Sequence, residues 1–145
     1  MGAARLMRVI IDSNILLSAL ISPRGPPHQI YRAWRQRRFE LVTSTIQLDE
    51  IRRASRYPKF RGILQPHRVG HMVNNLQSSV VLDHLSGRYE TADPHDDWLL
   101  ALADAAKADF LVTGDKQSGL LERRRIGTAR ILTASEFCRT VLQAR

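Results

Sequence analysis

The hydrophobic positions of this chain alternate between short apolar runs and longer stretches with helical periodicity. Short apolar runs bounded by turn signals are typical of strands in a parallel sheet, and the helical stretches between them are typical of crossover connections. The apolar runs predict five strands, over residues 7–12, 39–43, 79–82, 110–113 and 129–132. We therefore predict an α/β fold with a parallel sheet, in a strand order that the pattern does not set.

Capping residues, prolines and a glycine mark the boundaries of the predicted helices. The segment 22–27, rich in proline and glycine, should end the first helix. Three pairs of residues have the types and spacing of helix starts. They are Ser44 with Gln47 and Thr133 with Glu136, which fit capping boxes, and Asp93 with Pro94, which fit an N-cap and a first helical position. The predicted helices cover residues 13–21, 28–37, 44–55, 66–76 and 93–107, and a last helix begins at 133.

Length and charge narrow the class of protein. We predict a single domain over residues 1–145, with residues 1–6 as a disordered or non-native start. The net charge is +8, and arginine carries nearly all of it, because Lys59, Lys107 and Lys116 are the only lysines. Guanidinium groups match phosphate bidentately, so a nucleic-acid partner is one explanation of this bias. A basic solvated face explains the same bias.

Cysteine content and hydropathy exclude several other classes. Cys138 is the single cysteine, so the chain has neither a disulfide framework nor a thiolate zinc site, and we expect Cys138 in the core. No run approaches the ~20 apolar residues of a membrane span. The start of the chain also lacks the apolar segment of a signal peptide. We predict a cytoplasmic protein.

Asp12 directly follows the apolar residues of the first strand. A carboxylate in that position is either the N-cap of the next helix or a ligand at the carboxyl end of the sheet. Ser13 and Asn14 are alternative caps, which favours the ligand. Asn14 also argues against phosphatases with an aspartate nucleophile, which need a second aspartate at that position.

Asp49 and Glu50 are adjacent and therefore face different ways on the third helix. Asp49 has Arg53 four residues later, which fits a surface ion pair. Glu50 has Ile46 and Ala54 at that spacing, which places it nearer the buried face. We therefore favour Glu50 as the ligand.

Two further acidic groups stand near the predicted sheet edge. Asp96 and Asp97 open the fifth helix, where acids also stabilise the helix dipole, but Asp93 already supplies a cap. Asp96 continues the apolar stripe of that helix, so it is favoured over Asp97 by a small margin. Asp115 follows the fourth strand, where it is either a turn residue or a ligand.

These acids come from four distant segments and are expected to converge on one edge of the sheet. Converging carboxylates repel one another unless a divalent cation lies among them. The pattern therefore predicts a metal site facing a polyanion. Nucleotide-binding loops rich in glycine are absent from the sequence.

The chain resembles the PIN-domain family, and within it the VapC-like toxins of bacterial toxin–antitoxin systems. Four motifs carry the resemblance, in order and with suitable spacing. They are DSNIL at 12–16 with SAL at 18–20, LDEI at 48–51 with YPKF at 57–60, DPHDD at 93–97, and LVTGD at 111–115.

The resemblance implies a PIN-like three-layer fold with a central parallel five-stranded sheet, and a metal-dependent endoribonuclease. It implies Mg²⁺ (or Mn²⁺) held by Asp12, Glu50, Asp96, Asp97 and Asp115, with either acid of the pair at 96 and 97 as the principal ligand. Thr113 and Asn14 would be supporting residues.

The resemblance also implies partners. The substrate would be RNA, with Arg24, Lys59 and Lys116 as candidates to hold its backbone. A cognate antitoxin would occupy the crevice and place a basic side chain against the acids. The similar proteins are usually homodimers, for which the face formed by Ile30, Tyr31 and Trp34 is a candidate; core burial explains that face equally well.

Three alternatives stay open at the level of sequence. The first is a housekeeping RNA-processing nuclease with the same site, and the second is an inactive PIN-fold module that binds RNA or a protein. The third is a signalling receiver domain, which is disfavoured because it needs paired acids after the first strand, where Asp12 stands alone.

Overall fold

The computed structural model describes residues 6–83, 94–114 and 120–143, and of residues 94–96 it describes only the backbone. Residues 1–6 were predicted to be a disordered or non-native start; apart from Leu6, they lie outside the described residues. The predicted extent of the domain, 1–145, stays a prediction. In the described part, no helix is long and apolar enough to cross a membrane.

One sheet organises the described residues. Its strands are β1 (Arg8–Ile11), β2 (Glu40–Ser44), β3 (Val80–Leu82), β4 (Phe110–Val112), β5 (Arg125–Ile126) and β6 (Ala129–Leu132), in the order β3-β2-β1-β4-β6-β5. All pairs are parallel except β5 with β6. The five predicted strands and the α/β class are therefore confirmed. The antiparallel β5 was not predicted, because two residues are too few to form a hydrophobic pattern.

The described helices are α1 (Ser13–Ile21), α2 (Pro26–Arg35), α3 (Thr45–Ala54), α4 (Pro66–Gln77), α5 (Pro94–Ala105), α6 (Leu120–Arg123) and α7 (Ala134–Phe137). All of them except α6, which was not predicted, begin within a few residues of the predicted ones. A 3-10 turn forms Pro58–Phe60, and a π-helix continues α7 over Cys138–Leu142. α2 begins two residues before the predicted start, because prolines suit the first turn of a helix.

The strands place alternate residues against two different helical layers. Val9 and Ile11 of β1 pack in the core formed with α1, α2, α3, α4 and α7. Ile10 packs on the other face, with Leu99 and Leu100 of α5. All of these side chains are fully buried, and each such burial contributes about 1.5–3 kcal/mol. The sheet thus lies between two helical layers, as the predicted three-layer fold requires.

Cys138 lies in the larger core, as predicted. Its Sγ donates to the carbonyl oxygen of Pro26 at 3.6 Å, so it links the π-helix to the start of α2. Burial raises the pKa of this thiol. The thiolate, which is the reactive form, is therefore disfavoured.

The sheet topology creates a crevice beside β1. The chain leaves β1 toward β2 and β3 on one side and then crosses to β4 and β6 on the other. In an open parallel sheet, ligands bind at such a switch point, outside the carboxyl ends of the strands. The residues that follow β1 and β4 are therefore at the centre of the expected site.

Acidic residues at the opposite edge of the sheet have structural partners. The Arg8 side chain donates from Nε to Glu40 Oε1 at 2.8 Å. The backbone N–H of Arg8 donates to Asp109 Oδ2 at 2.7 Å. These two acids thus join the amino ends of β1, β2 and β4.

The predicted capping box at the start of α7 is confirmed. Thr133 Oγ1 accepts from the Glu136 N–H at 3.1 Å, and the Glu136 carboxylate accepts from the Thr133 N–H at 3.0 Å. The hydrogen bond from the Thr133 backbone N–H, and after it one from the Thr133 side chain, lowers the pKa of the Glu136 carboxyl below its ordinary value of 4.5.

This lowered pKa predicts a pH-dependent contribution to stability. A carboxyl group with a lower pKa in the folded state adds stability above its unfolded pKa, and this stability is lost as the pH falls through the folded pKa. The free energy of unfolding of the wild type should therefore approach that of Glu136→Gln as the pH falls below 4.5. Denaturant titrations above and below that pH measure the difference. Glu122→Gln on α6 is the control, and parallel profiles for wild type and Glu136→Gln would contradict the prediction.

Candidate active site

Asp12 lies at the switch point of the sheet and is almost completely buried, with 1% of its surface exposed. Its backbone N–H donates to the Val112 carbonyl oxygen at 2.8 Å, which extends the pairing of β1 with β4. Its Oδ2 accepts from the Thr113 hydroxyl at 2.8 Å, and its Oδ1 accepts from the Asn14 N–H at 3.3 Å. The carboxylate is therefore oriented by neutral donors from two segments about 100 residues apart.

The expectation that Ser13 or Asn14 caps α1 is wrong. Asp12 is itself the N-cap, through the contact with the Asn14 N–H. Ser13 is buried and accepts from Gln47 instead. The N-cap interpretation of Asp12 is thus confirmed, since its Oδ1 caps the helix, while its role as a metal ligand stays a prediction.

Thr113 holds the equivalent position after β4. Its side chain is fully buried, and its N–H donates to the Leu132 carbonyl oxygen at 3.0 Å. The hydroxyl therefore reaches Asp12 from a backbone fixed between β1 and β6. A supporting role was implied for both Thr113 and Asn14, and it is the Asn14 backbone, not its exposed side chain, that contacts Asp12.

Gln47 connects α3 to the end of β1, a role that the sequence did not reveal. Its Nε2 donates to the Ile11 carbonyl oxygen at 2.6 Å and to Ser13 Oγ at 3.2 Å. Its Oε1 accepts from the Thr43 hydroxyl at 2.5 Å. Of the predicted capping box, the contact from the Gln47 N–H to Ser44 Oγ is present, at 3.2 Å. The Gln47 side chain itself fixes α3 against the switch point.

Glu50 lies one turn after Gln47 on the same face of α3. It is half-buried, and its Oε1 atom is buried. The reasoning from Ile46 was wrong, because Ile46 is 46% exposed; the buried neighbours are Gln47 and Ala54. Glu50 therefore lies on the buried side of α3, with Gln47 and Ala54.

Asp49 is a surface residue, as expected, but with a different partner. Its carboxylate pairs with Arg52 at 3.0 Å, and its side chain is 61% exposed. The Arg53 guanidinium donates to the Asp49 carbonyl oxygen at 3.3 Å, not to the carboxylate. The two adjacent acids of α3 thus have separate environments.

Asp97 lies in the first turn of α5 and is half-buried. Because α5 leads back to the start of β4, its own start lies toward the carboxyl edge of the sheet. Leu99 and Leu100 pack beneath it against Ile10 and Val42. The side chain of Asp96 and the whole of Asp115 lie outside the described residues, so the choice between Asp96 and Asp97 stays a prediction.

The carboxylates of Asp12 and Glu50 suit a hard cation. Carboxylate oxygens are the ligands that Mg²⁺ and Mn²⁺ prefer, and Asp12 supplies them from a buried position and Glu50 from a half-buried one. Within residues 6–83, 97–114 and 120–143, no group of three or more His, Cys, Asp or Glu side chains could hold a metal ion. The predicted set is completed only by Asp96 and Asp115, beyond those ranges.

The apolar face of α2 belongs to the core. Ile30 and Trp34 are buried, and Tyr31 packs edge-to-face on Trp34 with 5.5 Å between ring centroids. The Asn75 amide donates to the Tyr31 hydroxyl at 2.9 Å, which ties this face to α4. This face is therefore not available to a second protomer.

Two of the three cations expected near the site loops lie on the described surface. Arg24 is exposed in the segment between α1 and α2. Lys59 is exposed, and its ammonium lies 4.9 Å from the ring centroid of Phe60. Lys116 lies outside the described residues.

An α/β sheet with a buried carboxylate at its switch point agrees with the comparisons with known proteins. The family model for the PIN domain matches residues 8–117, and the chain belongs to that family. An uncharacterized protein of Methanocaldococcus jannaschii is 30% identical over 112 residues, which cover 76% of this chain and 72% of that protein. The predicted family is thus confirmed, and PIN domains are generally nucleases that use divalent metal ions.

A solved structure has a similar fold. It is VapBC2 from Rickettsia felis bound to a DNA fragment from their promoter, with a TM-score of 0.55. The sequence identity is 15%, and the match covers 88% of this chain and 98% of that chain. At this identity the likeness concerns the fold alone.

Removal of the Gln47 side chain should destabilise the protein. In Gln47→Ala the buried Ile11 carbonyl and the hydroxyls of Ser13 and Thr43 lose a partner, so we expect the free energy of unfolding to fall by about 2–3 kcal/mol. Gln77→Ala, at an exposed position of α4, is the matched control and should change it by less than about 0.5 kcal/mol. Urea denaturation measures both. Equal effects would show that Gln47 does not hold α3.

Proposed function

We propose that this protein is a metal-dependent endoribonuclease that hydrolyses phosphodiester bonds in RNA. The observation that carries the proposal is the buried, oriented carboxylate of Asp12 at the switch point of a PIN-domain sheet. A buried acid is costly unless it is hydrogen-bonded or bound to a cation. Its position at the open end of the sheet favours a metal facing a polyanion.

Each acid would have a distinct part in the site. Asp12 and the pair Asp96 and Asp97 would bind Mg²⁺ or Mn²⁺ directly, and Glu50 and Asp115 would complete the ligand set, with Glu50 acting through water. The cation, when bound, lowers the pKa of a coordinated water and neutralises charge on the phosphate.

The remaining polar residues position the acids. The Thr113 hydroxyl and the Asn14 N–H hold the Asp12 carboxylate in one orientation. The carboxylate therefore does not have to reorient when substrate binds. Gln47 holds the helix that carries Glu50. Hydrolysis in line would form a bond from the water oxygen to phosphorus and break the bond from phosphorus to O3′. The products would carry a 5′-phosphate and a 3′-hydroxyl.

We also propose that the protein is the toxin of a toxin–antitoxin pair. The support is the similarity of its fold to VapBC2, whose name describes a complex on promoter DNA. A cognate antitoxin would cover the crevice and place a basic side chain near Asp12. A homodimer remains part of this proposal, through a surface other than the buried face of α2. The net charge of +8 favours binding to the polyanion RNA, and we place this activity in the cytoplasm as part of the same proposal.

Substitution of Asp12 should abolish cleavage without unfolding the protein. Asparagine is also a good N-cap, so Asp12→Asn keeps the cap of α1 but removes the charge that a cation needs. We expect cleavage of a mixed RNA substrate with Mg²⁺ or Mn²⁺ to fall by about a hundredfold or more, and EDTA to stop wild-type cleavage. Gel analysis of products and calorimetric titration with Mn²⁺ measure activity and metal binding.

The neighbouring acids of α3 provide a matched comparison. Glu50→Gln should lower cleavage by about 10- to 100-fold, because a ligand or its water contact is lost. Asp49→Asn removes the same charge one residue away, from a surface pair with Arg52, and should leave cleavage unchanged. Full activity in both Asp12→Asn and Glu50→Gln would refute the proposed site. A folded wild type that neither binds metal nor cleaves RNA would instead support the alternative of an inactive PIN-fold module that binds RNA or a protein.

A further inference from the structure

A groove with three arginines runs along the β5–β6 edge of the sheet. We name it the arginine groove; its volume is about 410 Å³, within the range of ligand sites. It is lined by Leu121, Arg124, Arg125, Arg130, Ile131, Leu132, Thr133 and Glu136. Residues of β6 thus form its floor, and it is surrounded by Arg124, which directly follows α6, by Arg125 of β5 and by Arg130 of β6.

Two of these arginines lie directly opposite each other. Arg125 pairs with Arg130 across the antiparallel β5–β6 hairpin, and both are exposed. Like charges opposite each other in such a pair are destabilising. In the described part of the chain, neither side chain lies within 4.0 Å of a carboxylate. A bound anion would remove this repulsion.

The hairpin that carries this pair is fixed. Thr128 in the turn donates from Oγ1 to the Ala108 carbonyl oxygen at 2.8 Å. Gly127 has φ = +55°, and a Cβ there would come within 3.0 Å of Asp104 Oδ1, so the turn is closely packed against α5. The opposed guanidinium groups therefore project from a rigid base, which lowers the entropic cost of binding a ligand.

The acid in the groove is already engaged. The Glu136 carboxylate accepts from the Thr133 N–H at 3.0 Å, and the positive charges of Arg139 and Arg124 help to lower its pKa. Three arginines and one glutamate thus line the groove, with Arg139 nearby. The groove attracts anions.

The groove ends close to the candidate active site. Leu132 lines it and accepts from the Thr113 N–H at 3.0 Å, and the Thr113 hydroxyl contacts Asp12. Only β4 separates β6 from β1. The end of the groove therefore lies two strand spacings, or about 10 Å, from Asp12. One extended strand can therefore occupy both.

We propose that the arginine groove binds the sugar-phosphate backbone of a single-stranded RNA next to the point of cleavage. The proposal rests on the proposed function, since it takes the bound strand to be the substrate. Guanidinium groups bind phosphates without reading sequence, so the groove would supply affinity and direction. Continuity with the acidic site favours a polynucleotide over an acidic peptide, which has no phosphodiester to present to that site.

Binding without cleavage tests this proposal. A short fluorescein-labelled single-stranded RNA is titrated with protein in EDTA, at several salt concentrations, and followed by fluorescence anisotropy. Arg125→Gln/Arg130→Gln should weaken binding about tenfold. The loss of two phosphate contacts should reduce the slope of log K against log salt by about 1.4. The matched control is Arg61→Gln/Arg68→Gln, which removes the same charge from exposed positions outside the groove.

Three results would overturn the proposal. They are unchanged binding by the groove variant, an equal loss in the control, and competition by polyglutamate as effective as that by unlabelled RNA, which would indicate an acidic protein partner. The unliganded groove variant should melt at the wild-type temperature or above, because a like-charge pair has been removed. A melting temperature below the wild type's would show that the arginines stabilise the fold instead.

The two proposals fail in different ways. If RNA binding depends on Arg125 and Arg130 but no RNA is cleaved with metal, the proposed function fails, while the groove is still assigned as a site that binds RNA. If RNA is cleaved in a manner that depends on metal and Asp12, while the groove variant binds normally, only the groove assignment fails.

Discussion

The hydrogen bond from the Thr113 hydroxyl to the Asp12 carboxylate is the contact on which the site depends. It joins the ends of the two strands that flank the switch point, across 101 residues of sequence. Gln47 supplies the third connection, from α3 to the carbonyl of Ile11. Buried polar groups of this kind are stable only when each finds a partner. The same contacts that satisfy the sheet ends therefore also fix the position of the acid.

The two edges of the sheet use acidic residues differently. At the amino edge, Glu40 and Asp109 bind the side chain and the backbone of Arg8, and they hold strands together. At the carboxyl edge, the Asp12 carboxylate is bound by a hydroxyl and a backbone N–H. This carboxylate lies at the edge where ligands of open parallel sheets bind, which suits a cation ligand. The position at the carboxyl edge thus distinguishes the candidate ligand Asp12 from the structural acids Glu40 and Asp109.

Much of the fold was predictable, because hydrophobic periodicity reflects burial directly. The five parallel strands, the capping box at Thr133 and the position of Asp12 all follow from local pattern. The role of Gln47 did not, since its partner Ile11 is 36 residues away and a glutamine after Ser44 fits a local cap equally well. The burial of Glu50 was inferred from the apolar Ile46, but Ile46 is exposed, because an apolar residue can remain exposed at the start of a helix. The opposed arginines depended on the register of a hairpin too short to predict.

The pairing of β1 with β4 has a consequence for the timing of synthesis. Asp12 leaves the ribosome early, but Thr113 follows 101 residues later. At roughly 5–20 residues per second, this separation corresponds to a delay of about 5–20 s. During that time β1 has β2 as a neighbour but not β4, so the carboxylate has no fixed orientation. A nascent chain is therefore expected to carry every acid of the first two motifs and still be inert until its last third has been made.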